Sequence, residues 1–140
     1  MKHYIWLMTI IFMMGCSSTP KRSVTIESVG NTMAYDITTV TVESGTNLTI
    51  IFKNNATLDV MKHNIVILDD STAINEVGIA AINAPNYVPD HPAIIAYSDL
   101  IGPGEVTQVT FTVPTEPGKY PFVCTFPGHY SMMQGVIVVQ

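Results

Sequence analysis

From Val24 onward, apolar residues recur at every second position, the period of a strand with one buried face. Val24 and Ile26 alternate with polar neighbours, and Met33, Tyr35 and Ile37 do the same. The phase slips at Thr38-Thr39 and resumes on Val40 and Val42, which predicts a bulge or a crossover between sheets. Ser44-Gly45 marks a turn, residues 48–52 a further strand, and Asn54-Asn55 another turn. Residues 63–68 (HNIVIL) form a short β-branched run suited to a buried strand that opens on His63.

Residues 70–92 change period. Ile74, Val77, Ala80, Ala81 and Ile82 fit one short helix, capped by Asp70 or Ser71 and ended by Pro85, with a polar, proline-rich loop over 86–92. Strands resume over 93–97, 107–113, 119–124 and 135–139, with turns at Gly102-Pro103-Gly104 and Glu116-Pro117-Gly118. About eight short strands at this spacing, plus one helical insertion, predict an all-β fold: a Greek-key β-sandwich with a short helical flap. No internal repeat or second domain is visible in the sequence.

The N-terminus does not share this pattern. Lys2 and His3 precede an apolar run over 4–14 that is shorter than the roughly 20 residues a membrane span requires. It suits the h-region of a signal peptide. Gly15-Cys16 followed by Ser17-Ser18-Thr19-Pro20 resembles a bacterial lipoprotein signal, which implies cleavage before Cys16 and lipidation of that residue. Residues 1–15 are then the signal peptide, 16–23 the lipidated N-terminus and a polar tether, and 24–140 the folded domain. An ordinary secretory signal or an uncleaved anchor is the other reading. Ser17 stands where an aspartate often retains lipoproteins in the inner membrane, which favours an extracytoplasmic, outer-membrane placement where the cell has one.

Charge and cysteine content narrow the function. Loss of residues 1–15 removes Lys2 and shifts the formal charge from −5 to −6, against five remaining Lys or Arg. That balance argues against nucleic acid, which calls for a basic face. With Cys16 lipidated, Cys124 is the only thiol left. A lone thiol outside the cytoplasm cannot be used in a disulfide and is open to oxidation unless a metal occupies it.

Cys124 ends a strand, Phe126-Pro127-Gly128 turns the chain, His129 follows, and Met132-Met133 lie where the next strand begins. Two imidazoles and a thiolate in a plane, with a weak axial thioether, suit copper in a blue electron-transfer site. The second imidazole must come from elsewhere, and His63 stands at the start of its run. A buried cysteine is otherwise a small inert hydrophobe. A Cys–His protease dyad needs a cleft and an oxyanion site, and zinc seldom takes a thioether. Strand alternation separates Met132 from Met133 and favours Met133 as the ligand. His91, in Asp90-His91-Pro92, reads as a solvated surface histidine, and Lys62 and Asp59 as solvated charges.

Met61-Lys62-His63-Asn64, Leu100-Ile101-Gly102-Pro103-Gly104-Glu105 and Cys124-Thr125-Phe126-Pro127-Gly128-His129 together resemble the azurin and auracyanin branch of the cupredoxins. The resemblance covers 24–140 and implies a cupredoxin-like copper-binding domain holding one type 1 copper. It implies equatorial ligands His63, Cys124 and His129, an axial Met133, and the Lys62 carbonyl as a weak contact on the opposite axis. It further implies that the N–H groups of Asn64 and Phe126 point at the Cys124 sulfur, and that the Asn64 side chain ties the His63 strand to the Cys124 loop. The disulfide of azurins is absent, and Ile65 stands where relatives often carry tryptophan.

Val60, Met61, Phe126, Pro127, Tyr130 and Met132 are expected around His129, either as a docking patch for partners or as a roof over the metal. The implied function is a membrane-tethered blue copper protein that cycles Cu(I)/Cu(II) between extracytoplasmic redox partners, such as c-type cytochromes or terminal reductases and oxidases. A copper storage or delivery lipoprotein is the alternative. Catalysis fits poorly, because a second copper centre needs histidines or cysteines that this chain lacks, so the protein is not expected to be an enzyme on its own.

Overall fold

The computed structural model describes residues 19–140. The expected signal peptide, residues 1–15, and the expected lipidation site Cys16 lie outside the described residues. Eight strands form: β1 (Lys21–Glu27), β2 (Thr39–Val42), β3 (Asn47–Lys53), β4 (Val66–Leu68), β5 (Ile94–Tyr97), β6 (Val106–Thr112), β7 (Gly118–Val123) and β8 (Gln134–Val139), with one helix, α1 (Ile74–Ala81). They make a three-stranded sheet in the order β1-β3-β6 and a five-stranded sheet in the order β2-β8-β7-β4-β5. Among the described residues no helix is long and apolar enough to cross a membrane.

The alternation read from the sequence is the packing. Ile26, Leu48, Ile50 and Phe52 from one sheet meet Ile67, Phe122 and Ile137 from the other in one buried cluster. Burial of such side chains stabilises by about 1.5–3 kcal/mol each. Tyr35 stands edge-on to Phe52 (centroids 5.7 Å apart) and tilted against Phe122 (5.3 Å), with its hydroxyl donating to the Asn64 carbonyl at 2.7 Å. Gly135 faces Phe122 across the β7–β8 ladder, and a Cβ there would fall 2.1 Å from that ring, so no other residue fits.

The phase slip at Thr38-Thr39 is a crossover: β1 belongs to the three-stranded sheet and β2 to the other. Residues 33–37 do not extend it as a strand. Tyr35 forms a single bridge to Ser28, and the Asp36 carboxylate takes the N–H groups of Glu27 and Ile37, so side-chain bonds replace a ladder. Strand β1 begins at Lys21, earlier than the alternation suggests, because residues 21–23 pair in parallel with Asn47, Leu48 and Thr49. The stretch expected to be a polar tether, 16–23, thus gives its last three residues to the strand.

Helix α1 covers the outer face of the five-stranded sheet. Val77 and Ala81 pack with Val66, Leu68, Ala73 and Val123 or lie buried beside them, while Ala80 and Ile82, expected on the same stripe, face solvent. Eight residues present too narrow an arc to bury all five. Asp70, not Ser71, supplies the cap, accepting the Thr72 N–H ahead of the 3₁₀ turn Ser71–Ala73.

Strand register gives the sandwich two ends. One gathers the C-termini of β1, β3, β5 and β7 with the N-termini of β2, β4, β6 and β8. His63, Ile101, Cys124 and His129 all lie there.

Candidate metal centre

A strand end places Cys124, the loop after it places His129, and a backbone bridge ahead of β4 places His63. Cys124 directly follows β7, and its N–H donates to the Met133 carbonyl at 3.0 Å, closing the loop that separates β7 from β8. Within the loop Gly128 takes φ +85°, a left-handed turn that suits glycine. The His129 N–H donates to Phe126, and the Met132 and Met133 N–H groups both donate to the His129 carbonyl.

His63 does not open a strand. It sits ahead of β4 and exchanges both backbone hydrogen bonds with Ile101 at 3.1 and 2.9 Å. Asn54 holds this pair. Its buried amide donates to the Met61 and Ile101 carbonyls, and its oxygen accepts from Ser28 Oγ and the Ala56 N–H. Asn54 reads in the sequence as a turn residue, and nothing local distinguishes it from Asn55.

The three donors converge. Cys124 Sγ lies 3.7 Å from Nδ1 of His63 and 3.7 Å from Nδ1 of His129, and the two nitrogens are 3.2 Å apart. A point equidistant from these three atoms lies about 2 Å from each, close to the length of a bond between a first-row metal and an imidazole nitrogen. Two imidazole nitrogens facing each other at that separation repel unless a proton or a cation lies between them. The donor set therefore fits a metal of the kind that takes thiolate and imidazole together. His63, Cys124 and His129 are the group of potential metal ligands among the described residues.

Burial sets the electrostatics. His63 and Cys124 have no exposed surface, and His129 keeps 6 %. Loss of solvent lowers the His63 imidazole to about 4, helped by the neighbouring His129, and lowers His129 as well, so both rings offer lone pairs at neutral pH. Burial pushes the Cys124 thiol up to about 11, against the pull of the Asn64 and Phe126 backbone N–H groups directed at its sulfur. The free thiol thus keeps its proton, and a bound cation must displace it. The distal Nε2 of His63 is buried with no hydrogen-bond partner among the described residues, so backbone pairing and packing hold this ring in place.

Around the donors, Asn64 Nδ2 donates to Thr125 Oγ1 at 2.9 Å and Asn64 Oδ1 accepts the Thr125 N–H at 2.9 Å, locking the His63 segment to the Cys124 loop. Thr125 Oγ1 in turn donates to the Tyr87 carbonyl at 2.6 Å. The Tyr87 ring stands edge-on to Phe126, and Phe126 edge-on to His129, with centroids 5.2 and 5.0 Å apart. Asn86 and Tyr87 both hold positive φ, 52° and 57°. No sequence signal marks Tyr87 or Gly78. Gly78 is needed because a Cβ there would lie 2.3 Å from the Tyr130 ring.

Met133 is fully buried in the cluster that contains Cys124, and Met132 is 67 % exposed. Lys62 and Asp59 are exposed. Val60 is 71 % exposed, whereas Met61, Phe126, Pro127 and Tyr130 are half-buried. Leu58, which the sequence reading passes over, adds a further exposed apolar side chain. His91 is not a solvated histidine: its ring is largely covered, Nε2 pairs with Glu76 at 3.4 Å, and Nδ1 accepts the Ala93 N–H.

Residues 22–140 match the family described as copper binding proteins, plastocyanin/azurin family. The chain is 44 % identical to auracyanin-A of Chloroflexus aurantiacus over 123 residues, covering 83 % of this chain and 74 % of that one. It is 34 % identical to azurin of Pseudomonas fluorescens over 125 residues, 84 % of this chain and 97 % of that one. The solved structure of auracyanin A, described as a "blue" copper protein from the green thermophilic photosynthetic bacterium Chloroflexus aurantiacus, superposes with a TM-score of 0.79 at 38 % identity, covering 86 % and 99 %.

Proposed function

The chain belongs to the plastocyanin/azurin family of copper-binding proteins, and from that premise we propose that it is a membrane-tethered carrier of single electrons outside the cytoplasm. The observation that carries this reading is the triangle of Cys124 Sγ and the two Nδ1 atoms, closed and almost dry. Copper held there supplies a Cu(I)/Cu(II) couple. His63, Cys124 and His129 would hold it, with Met133, buried in the same cluster as Cys124, as a further sulfur donor. The Lys62 carbonyl would be a further, weak contact.

The residues of the chain do the rest. The β7 end, the loop after it and the His63–Ile101 bridge fix the three donors so that neither oxidation state is free to choose its own geometry, which keeps rearrangement on electron transfer small. The Asn64 and Phe126 N–H groups draw charge from the thiolate sulfur and tune the potential. His129 alone of the donors reaches the surface, amid Val60, Met61, Phe126, Pro127, Tyr130 and Met132, and electrons enter and leave by its edge. A c-type cytochrome or a terminal reductase or oxidase is the class of partner that fits. The anchor is Cys16.

Loading the protein with Cu(II) and recording its visible spectrum with copper content tests this. An intense blue band at one copper per chain is expected. A colourless protein that still holds copper overturns the electron-carrier reading in favour of copper delivery.

A further inference from the structure

Tyr35 brings a hydroxyl into a buried cluster whose other side chains carry neither oxygen nor nitrogen. Its ring is packed between Phe52 and Phe122, and phenylalanine would fill nearly the same volume. A buried hydroxyl costs stability unless it is bonded, so packing does not account for the oxygen. The Asn64 carbonyl does: it lies 2.7 Å away, and no other donor to it is found among the described residues. Burial, with Cys124 nearby acting in the same direction, holds the phenol well above its ordinary ionisation range, so it remains a donor.

Asn64 is the residue through which the His63 segment meets the sulfur. Its N–H is directed at Cys124 Sγ, and its side-chain amide bonds Thr125 through both Nδ2 and Oδ1, each at 2.9 Å. These contacts lie on the side of the Cys124 loop, and Tyr35 holds the residue from the core. The hydroxyl is itself well placed. Tyr35 bridges Ser28, the Val29 N–H donates to the Ala34 carbonyl at 3.0 Å, and the Asp36 carboxylate takes the N–H groups of Glu27 and Ile37. The crossover between β1 and β2 thus works as a bracket, reaching from the three-stranded sheet to a hydrogen-bond donor of the thiolate.

We propose that Tyr35 is a positioning residue for electron transfer: by holding the Asn64 carbonyl, its hydroxyl keeps the Asn64 N–H on the Cys124 sulfur and so sets the potential of the site. The inference rests on the electron-carrier reading and adds to it a residue remote from the ligands in sequence. An N–H donor favours the state in which the sulfur carries more negative charge, which is the reduced one. Without the hydroxyl the Asn64 carbonyl is buried and unpaired. The backbone then shifts toward another donor, the N–H moves off the sulfur, and the oxidised state gains.

The test compares the wild-type protein with Tyr35→Phe, both copper-loaded, at one ambient potential fixed by a redox mediator, with the Cu(I):Cu(II) ratio read from the visible band. The variant is expected to stay blue and to shift toward Cu(II) by about threefold, roughly 30 mV for one electron at about 59 mV per tenfold. In the copper-free proteins, amide exchange followed by NMR is expected to quicken several-fold at the Asn64 N–H but not at the His63 N–H, which Ile101 holds. Ile50→Val, in the core of the other sheet, loses stability through a small cavity and is expected to change neither reading. An unshifted ratio in Tyr35→Phe, or an Asn64 amide that exchanges no faster, overturns the proposal. So does an equal shift in Ile50→Val, which makes stability the cause. A wild-type protein that holds copper without colour overturns the electron-carrier reading instead, and exchange at Asn64 then upholds or overturns the hold of the hydroxyl by itself.

Discussion

The loop over 124–133 and the flap over 70–92 lie side by side and are held by opposite means. The loop is short, is fixed at both ends by β7 and β8, and spends its backbone N–H groups on its own turn and on the Cys124 sulfur. The flap is more than twice as long and buries little beyond Ala73, Val77, Gly78 and Ala81. It touches the loop at two places: Gly78 under Tyr130, and Tyr87 against Thr125 and Phe126. The contrast teaches that the short loop and the His63–Ile101 bridge place the donors, while the flap props the outer side of a site already built.

The sharpest break in that comparison is Cys124→Ser, which removes the thiolate and is expected to abolish the blue band entirely in a visible spectrum of the copper-loaded protein. No flap variant is expected to do so. A flap substitution that bleaches the protein shows that the flap is part of the site.

Acid separates the two regions next. Above pH 6.5, His63 is neutral in both the folded and the unfolded chain and contributes nothing to pH dependence. As the pH falls below 6.5 the unfolded imidazole takes a proton that the folded one refuses until about 4. The copper-free protein is therefore expected to lose stability across the window from 6.5 to 4, by at most about 1.4 kcal/mol per pH unit from this group, with His129 acting in the same direction. Urea melts of copper-free protein at pH 7, 5.5 and 4.5 measure it, and a flat profile contradicts the buried, neutral ring.

Gly78→Ala tests the first flap contact. Alanine gains about 1 kcal/mol of helix propensity, but its Cβ overlaps the Tyr130 ring, and overpacking of this kind costs roughly 1–3 kcal/mol. Net destabilisation of about 1 kcal/mol is expected, with the blue band retained. Adding Tyr130→Ala is expected to turn the same substitution stabilising, which denaturant unfolding of the four proteins in the cycle resolves.

The smallest effect concerns Tyr87. Its left-handed backbone favours glycine over any residue with a Cβ by about 1 kcal/mol. Tyr87→Gly and Tyr87→Ala both lose the ring that meets Phe126, so glycine is expected to be the more stable of the two variants by that margin in urea melts. Equal stability contradicts the strained turn.

Much of this was legible in the sequence where one residue carries the information by itself. The thiol and imidazoles announce their chemistry by type, and alternation on Leu48, Ile50 and Phe52 reports a buried face without reference to the partner sheet. What stayed hidden is relational. Tyr35 alternates like a strand residue, yet it pairs at one point because Asp36 takes the neighbouring N–H groups. His63 looks like the start of a strand because Val66 and Leu68 follow it, while Ile101, 38 positions on, decides its backbone pairing. Asn54, Gly78 and Tyr87 matter only through what lies against them, and a single sequence does not print its contacts.

The register of β2 carries a consequence for how the protein comes to exist. Thr39 pairs with Val136 and Val42 with Val139, so an edge of the five-stranded sheet waits for a strand about 97 positions further on by this register. A chain that emerges N-terminus first cannot close the sandwich before β8 is available, and such distant pairings form slowly. Cys124 is thus not held against His129 and Met133 until β8 docks, because its N–H pairs with the Met133 carbonyl, so a metal is captured by the closed sandwich rather than by the forming chain.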